Sequence, residues 1–576
     1  MSSKQLMLGN EAFARGAYEA GAKLAVAYPG TPSTEITQAF SKFENVKAQW
    51  APNEKVALET AFGSSLAGNR TLCCFKHVGL NVAADPLFTI SYIGINAGLV
   101  IIVADDPGMY SSQNEQDSRY YAMSAHIPML EPSDCNEAVL FVKLAFEISE
   151  RYDTPVFIRT TTRMSHSRGS VEIHEPVAVE SKEFARNISK NVMLPAFARK
   201  RHITVEAREN KLSADADHLD VNEISWNDDR SLGIIASGIA YQYVKEALPD
   251  ASVLKLGMVF PLPLQLIKRF SDGVQKLVVA EELEPFFEMQ IKAAGIDCEG
   301  KSIFSRQGEL STQTIRKALS DGQETLQVHE SFTDLPARPP VLCPGCPHRA
   351  TFNVLSKLNL FVSGDIGCYT LGALAPYNAL HTNVCMGASI TVLSGMIKAR
   401  PELKNQAVAV IGDSTFFHSG MTGLTDMVYN CIPGTVLVLD NRTTGMTGHQ
   451  DHPGTGKTLQ GELTYTVDIG EVAKAVGVKN VRCVDPFNLK ELEAVLKEEL
   501  NNDSPSVIIC KHPCALLPKQ RTLPVQVDPS ACRKCKQCLR LGCPAIENHD
   551  GAPVINTSIC SGCKLCQSVC AFGAIR

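Results

Sequence analysis

Residues 407–441 read AVAVIGDSTFFHSGMTGLTDMVYNCIPGTVLVLDN. Two short apolar runs, AVAVI and TVLVL, bracket a segment of helical spacing, and each ends on polar turn formers, Gly412-Asp413 and Asp440-Asn441. Apolar runs of that length, joined through one helix, are expected to be parallel strands buried on both faces. The same strand, loop, helix rhythm recurs outward: AKLAVAYPG, GLVIIVADD and TPVFIRTT towards the N-terminus, SLGIIASG and KLVVAEELEP in the middle, SVIICKHP further on. The expected fold is therefore multidomain α/β, with loops gathered at the carboxyl edges of the sheets, where such folds bind ligands.

The chain has 576 residues, enough for about three to five folded units at roughly 100 to 200 residues each. A content of 44% hydrophobic and 20% charged residues excludes a fibrous repeat, a coiled coil or a mainly disordered chain. With 55 basic and 61 acidic residues the net charge is -6, so no global basic field recruits nucleic acid or anionic lipid. The N-terminus lacks the pattern of a secretory signal, and Ile95 to Ala104 is only about half the length of a membrane helix. A cytoplasmic location without a membrane anchor is expected.

Composition shifts divide the chain. Residues 1–165 carry the first strand and helix series; 166–230 are charged and irregular and read as a solvated linker with a helix. A second α/β unit covers 231–330, a third opens at the Pro-rich join DLPARPPVLCPGCPHR and covers 331–520, and 521–576 form a short, Cys-dense tail. A piece that small and poor in apolar runs needs metal as its core.

Eight of the 20 Cys lie in that tail, as Cys532-x2-Cys535-x2-Cys538-x4-Cys543 and Cys560-x2-Cys563-x2-Cys566-x3-Cys570. In the bacterial ferredoxin pattern three closely spaced thiolates hold one 4Fe-4S cubane and a fourth reaches across to the other. Cys570 is then expected to complete the first cluster and Cys543 the second. Zinc is the rival, but zinc fingers rarely use three Cys at successive x2 spacing twice over. The four residues before Cys543 and Ala571 after Cys570 depart from the pattern. Cys343 and Cys346 form a lone CxxC with no second pair nearby in the sequence, and a buried structural thiol is its default role.

In 407–441, 25 residues separate Ser414 from Asp440. Adjacent parallel strands would bring Asp413 and Asn441 to one cation, and Mg2+ takes such hard oxygen ligands, here completed by a main-chain carbonyl near Thr443 and by diphosphate. The pattern resembles the thiamine diphosphate motif, GDG followed after roughly 25 residues by NN, with Ser414 and Asp440 as departures. Asp and Asn at strand ends are also ordinary turn residues. GTGKT at residues 454–458 mimics a phosphate loop but lacks the first Gly and the preceding strand. Thiamine diphosphate also needs a carboxylate against its aminopyrimidine. Glu54 and Glu59, both on the helix NEKVALETAFGSSLAG, are the candidates, and either is equally readable as a surface acid at a helix start.

Taken together, YPGTPSTEI, NEKVALE, KHVGLNVAADP, ADDPGMYSSQNEQDSR, LCPGCPHR, SGDIGCYTLG, CMGASI, NRTTGMTGHQ and the Cys tail resemble the 2-oxoacid:ferredoxin oxidoreductases over nearly the whole chain. The resemblance implies thiamine diphosphate folds, a transketolase C-terminal-like α/β domain at 231–330 and a ferredoxin-like tail. It implies Glu54 as the pyrimidine-activating acid, with His77 as a further catalytic-site residue; Thr31, Gly367, Gly387, Gly412, Gly445, Gly448 and His348 around the cofactor; Asp413, Asn441 and Thr443 on Mg2+; and Gln113 or Asn114 against the substrate.

By the same resemblance the chain is the large α subunit of an enzyme that oxidatively decarboxylates arylpyruvates, chiefly indolepyruvate, with phenylpyruvate and hydroxyphenylpyruvate behind, to the aryl-acetyl-CoA. Electrons leave through two 4Fe-4S clusters to ferredoxin, coenzyme A takes the acyl group, and a smaller β subunit completes an α2β2 heterotetramer. The alternatives are an enzyme for pyruvate or other aliphatic oxoacids, and a non-catalytic electron-transfer subunit.

Overall fold

The structure is a computed structural model that describes residues 3–184, 186–319, 338–517 and 522–576. The expected boundaries at 330/331 and 520/521, and the start of the Pro-rich join, lie outside the described residues. The chain divides into two compact units, Met1–Ser331 and Phe332–Arg576.

The first unit is built on a seven-stranded sheet in the order Met258–Phe260, Met129–Leu130, Val156–Thr161, Leu99–Asp105, Thr71–Lys76, Leu24–Ala27, Lys47–Trp50. All pairs are parallel except the outermost, where Met258–Phe260 runs antiparallel to Met129–Leu130. The runs AKLAVAYPG, GLVIIVADD and TPVFIRTT supply three of these strands, and their central residues are buried on both faces, as expected of a sheet covered by crossover helices. A second sheet orders Lys276–Ala280, Leu232–Ser237, Ser252–Leu256 and Glu223–Ser225, the last antiparallel. One apolar core joins the two sheets, from Val26, Phe75 and Val103 to Leu254, Phe270 and Phe287.

The charged stretch 166–230 holds more order than its composition announces. Arg168–Ile173 pairs with Ser3–Leu8, and Pro195–Ala216 is a 22-residue helix. That helix buries Val205, Leu212 and Ala216 along one stripe, but Arg208 lies on the same stripe and donates to the carbonyls of Asp153 and Ser91. An arginine in the buried stripe erases the apolar periodicity a sequence reader relies on.

The second unit carries a fully parallel five-stranded sheet, Phe361–Ser363, Ala407–Gly412, Thr435–Asp440, Ser506–Lys511, Asn480–Val484. Alternate residues serve its two cores: Val408, Val410, Leu437 and Leu439 on one face, Ala409, Ile411, Val436 and Val438 on the other. The tail contributes only a two-stranded hairpin, Ile546–His549 with Ala552–Ile555, and short helical turns around its cysteines. Among the described residues no helix is long and apolar enough to cross a membrane.

Candidate functional site

Strands Ala407–Gly412 and Thr435–Asp440 are hydrogen-bonded neighbours with Gly412 opposite Leu439, so Asp413 and Asn441 emerge side by side at one sheet edge. Both are buried. Asp413 accepts from Ser414 N (2.8 Å) and from Arg442 N (2.8 Å), which locks its carboxylate onto the loop that carries Asn441. Asn441 Oδ1 accepts from Thr443 N (3.1 Å), and its Nδ2 lies 3.4 Å from His348 Nε2. His452 Nε2 stands 3.1 Å from Asp413 Oδ2. Burial pushes His348 down to about 4, a fall the Asp413 charge only partly offsets, so its imidazole is neutral and accepts the Asn441 amide. Asp440, where the motif has Asn, is pushed up to about 6 by burial and by Asp413.

The glycines define the cradle. A Cβ at Gly412 would lie 2.7 Å from the Tyr369 ring, and one at Gly367 would strike the same ring. Gly387 has φ 89° and its N–H donates to the buried carboxylate of Asp365 (2.9 Å). Gly448, at φ 112°, turns the loop after Asn441, whereas a Cβ at Gly445 would meet nothing closer than Cys368 Sγ at 3.6 Å.

A group that the spacing concealed lies here. Cys346 N donates to the Cys343 carbonyl (3.1 Å) and Cys514 N to the Asn441 carbonyl (2.9 Å), and the Cys368 thiol lies near Cys343, Cys514 and Asp413. Burial, reinforced by these neighbours, pushes Cys346 up to about 12 and Cys368 up to about 11. Two thiols distant in sequence, Cys368 of GDIGC and Cys514 of KHPC, thus lie near the CxxC of Cys343 and Cys346.

In the tail, Cys543 lines one small cavity with Cys560, Cys563 and Cys566, although 16 residues separate it from Cys560. Cys532 and Cys535 face Cys538. Three sulfurs accept backbone N–H groups: Cys532 from Lys534 (3.5 Å), Cys560 from Gly562 (3.4 Å) and Cys570 from Ala574 (3.3 Å). Such N–H···S contacts are what iron-bound thiolates use for charge stabilisation. Among the described residues no three His, Cys, Asp or Glu side chains converge on a point that would hold a single ion. The four thiols of a cubane sit on four different irons and need no such convergence.

In the first unit, helix Glu54–Leu66 starts at Glu54, with Asn53 capping through Val56 N (2.9 Å). Glu54 is buried, whereas Glu59 is exposed and pairs with Lys55. The Glu54 carboxyl packs on Gly79, of KHVGLN. His77 is buried, and neither ring nitrogen has a hydrogen-bond partner among the described residues. Burial holds it below the usual histidine range, and the Asn114 backbone lies beside it. The Gln113 and Asn114 side chains are exposed. Thr31 is half-buried in the loop after Leu24–Ala27.

An ionic lattice unseen in the sequence anchors the loop that carries Gln113 and Asn114. Asp106 accepts from Ser111 N (2.8 Å), Ser112 Oγ (2.6 Å) and Thr162 Oγ1 (2.6 Å). Arg159 is buried between Asp105 (2.7 Å) and Glu131; Arg119 is buried between Asp117 (2.6 Å) and Glu281 (2.7 Å). Lys76, next to His77, donates to the Ser111 carbonyl, and burial lowers it to about 8 despite Asp106.

Two family models match the chain: pyruvate flavodoxin/ferredoxin oxidoreductase, thiamine diphosphate-binding, over residues 15–223, and the C-terminal binding domain of thiamine pyrophosphate enzymes over 365–510. The indolepyruvate oxidoreductase subunit IorA of Archaeoglobus fulgidus is 40% identical across all of this chain and 97% of its own length. The chain belongs to the IorA family. Those of Pyrococcus horikoshii and Methanothermobacter thermautotrophicus are 41% and 40% identical, each covering 100% of this chain and 97% of the relative. This IorA-family chain is thus a 2-oxoacid:ferredoxin oxidoreductase subunit with two thiamine diphosphate-binding domains, and the expected α/β fold class holds.

Proposed function

We propose that the chain catalyses the oxidative decarboxylation of arylpyruvates, with indolepyruvate foremost, to the aryl-acetyl-CoA, and that its electrons leave through 4Fe-4S clusters to ferredoxin. The observation that carries the reading is the placement of Asp413 and Asn441 at one sheet edge with Cys368 and Cys514 beside them, Cys514 N donating to the Asn441 carbonyl (2.9 Å). A diphosphate anchor beside a group of thiols, Cys346 buried and the others half-buried, suits a carbon-centred oxidation better than a simple decarboxylation. Full-length likeness to relatives named indolepyruvate oxidoreductase supports the aryl preference.

The residues fit the absent groups. Asp413, Asn441 and the main chain at Thr443 would hold Mg2+ and the diphosphate, within the cradle formed by Gly367, Gly387, Gly412, Gly445 and Gly448. Thiamine diphosphate, once bound, supplies the stabilised carbanion equivalent that decarboxylation requires. Glu54 would bond the aminopyrimidine and hold its proton in the tautomer that activates the coenzyme. Neutral His348 fixes the Asn441 amide. The unpartnered nitrogens of His77 supply polar atoms for the oxoacid, with Thr31, Gln113 and Asn114 around it. Cys532, Cys535, Cys538 and Cys570 would hold one cluster, and Cys543, Cys560, Cys563 and Cys566 a second. Cys343, Cys346, Cys368 and Cys514 would hold a third, which adds a one-electron acceptor beside the diphosphate anchor. A smaller β subunit completes an α2β2 assembly, and coenzyme A is the acyl acceptor.

Steady-state turnover of an oxoacid panel by the reconstituted two-subunit enzyme, with coenzyme A and methyl viologen under anaerobic conditions, tests this. Arylpyruvates should give the highest kcat/KM. Preference for pyruvate overturns the aryl assignment, and absence of turnover with every oxoacid overturns the enzymatic reading.

A further inference from the structure

The chain carries a net charge of -6, yet its described tail, residues 522–576, holds six basic and three acidic residues. The excess is concentrated. Arg533, Lys534, Lys536 and Arg540 are interleaved with Cys532, Cys535 and Cys538, with no acidic residue among them, whereas the second cysteine run contains only Lys564. All four cations are exposed, as is Cys535. Among the described residues none of the four forms an ion pair, while two of the three acids of the tail are engaged elsewhere: Asp528 with Arg576 (3.4 Å) and Glu547 with His549 (2.8 Å). Lys534 and Lys536 sit at φ 54° and 62°, where glycine would be the relaxed choice, so the chain keeps cations there at a conformational cost.

The two cysteine groups of the tail face different surroundings within the second unit. Cys543, Cys560, Cys563 and Cys566 share their cavity with Gly345 and Arg349, and Arg349 Nη1 donates to the Leu541 carbonyl (3.0 Å). Gly345 lies between Cys343 and Cys346, so this group adjoins the thiols next to the Asp413 site. Cys532 instead borders an open cleft of about 380 Å³ lined by Val527, Pro529, Lys534, Pro553 and Val554. Val554 is exposed. An apolar cleft lined by Lys534, with three more unpaired cations on the adjoining loop, has the anatomy of a transient protein interface, with electrostatics setting the encounter rate.

We propose that the loop Arg533–Arg540 and the adjoining cleft are the docking surface for an acidic one-electron carrier protein, which makes the Cys532, Cys535, Cys538 group the exit for electrons. This rests on the cluster reading above and adds where the carrier binds. The carrier accepts one electron per encounter, so two oxidised carriers are reduced for the two electrons released from each oxoacid. The small contact needed for rapid exchange suits charge steering rather than a large buried area.

The test uses the complete two-subunit enzyme and an acidic 2[4Fe-4S] ferredoxin. A variant carrying Arg533→Gln, Lys534→Gln, Lys536→Gln and Arg540→Gln should weaken ferredoxin binding by calorimetry about tenfold or more and raise the KM for ferredoxin equally, in the range charge steering spans. Iron content and methyl viologen reduction should stay at the parent value. Lys564→Gln should leave ferredoxin binding unchanged. Should the fourfold variant lose iron, the unmodified enzyme still decides: its ferredoxin binding should weaken steeply from low to 0.5 M salt. Ferredoxin affinity indifferent to both the variant and salt overturns the proposal. If methyl viologen reduction is absent with all oxoacids while ferredoxin binding remains charge-dependent, the oxoacid reading has failed and the docking surface stands.

Discussion

A Cβ on Gly79 would lie 2.5 Å from Glu54 Oε1. The acid at the start of one helix is seated against the bare backbone of the next, so its position depends on a residue that carries no functional group. Gly79→Ala should displace the carboxyl and lower turnover about a hundredfold or more, within the range a misplaced acid or base forfeits. Glu54→Gln should lower it further while keeping the fold. Exchange of the thiamine C2 proton, followed by NMR in the loaded enzyme, should slow in both variants; a normal exchange rate in Glu54→Gln removes Glu54 from activation.

The gathering of Cys343, Cys346, Cys368 and Cys514 predicts about twelve iron atoms per chain, four for each of three clusters. Cys368→Ser should lower the count to about eight and remove one EPR species while the tail signals persist. A parent protein isolated anaerobically with about eight irons would return these four thiols to a structural role.

Asp413 is held by two backbone N–H groups and faces His452. Asp413→Ala should raise the dissociation constant for thiamine diphosphate with Mg2+ by about a hundredfold, the scale on which loss of metal ligation is felt. Fluorescence titration of the stripped enzyme measures it, at a temperature below the variant's own unfolding midpoint, which should fall because Ser414 N and Arg442 N lose their acceptor.

Burial raises Glu282 from the usual 4.5 to about 7, even though it accepts from Leu310 N (3.0 Å). Between those values the folded protein keeps a proton that the unfolded chain has released, so this contribution is complete below pH 4.5 and is lost as pH rises to about 7. Keeping the charged form buried above that point costs roughly 3 kcal/mol. Glu282→Gln should therefore raise the urea midpoint at pH 8 and flatten its decline between pH 5 and 7. A lower midpoint at pH 8 would mean that the carboxylate is stabilised by its surroundings.

What was legible in the sequence follows the range of each interaction. Strand, helix and strand between Ala407 and Asn441 are written in local periodicity, and the tail's cysteines in local spacing. Glu54 and Glu59 look alike as acids on one helix; the family resemblance favours Glu54, and burial is what separates the two physically. Cys368 and Cys514 escaped notice because they lie 22 and 168 residues beyond Cys346. Arg119 and Glu281 meet across 162 positions, and no charge pattern announces a pair whose register is set by how two sheets share a core.

The antiparallel strand Met258–Phe260 has a bearing on synthesis. It closes the edge of a sheet whose other strands all lie before residue 162. A nascent chain released up to residue 230 would present the backbone of Met129–Leu130 to any passing strand, and the apolar surface meant for Phe270 and Phe287 would face water. The first sheet is thus finished only after roughly a hundred further residues have left the ribosome, a delay in which chaperone cover matters most.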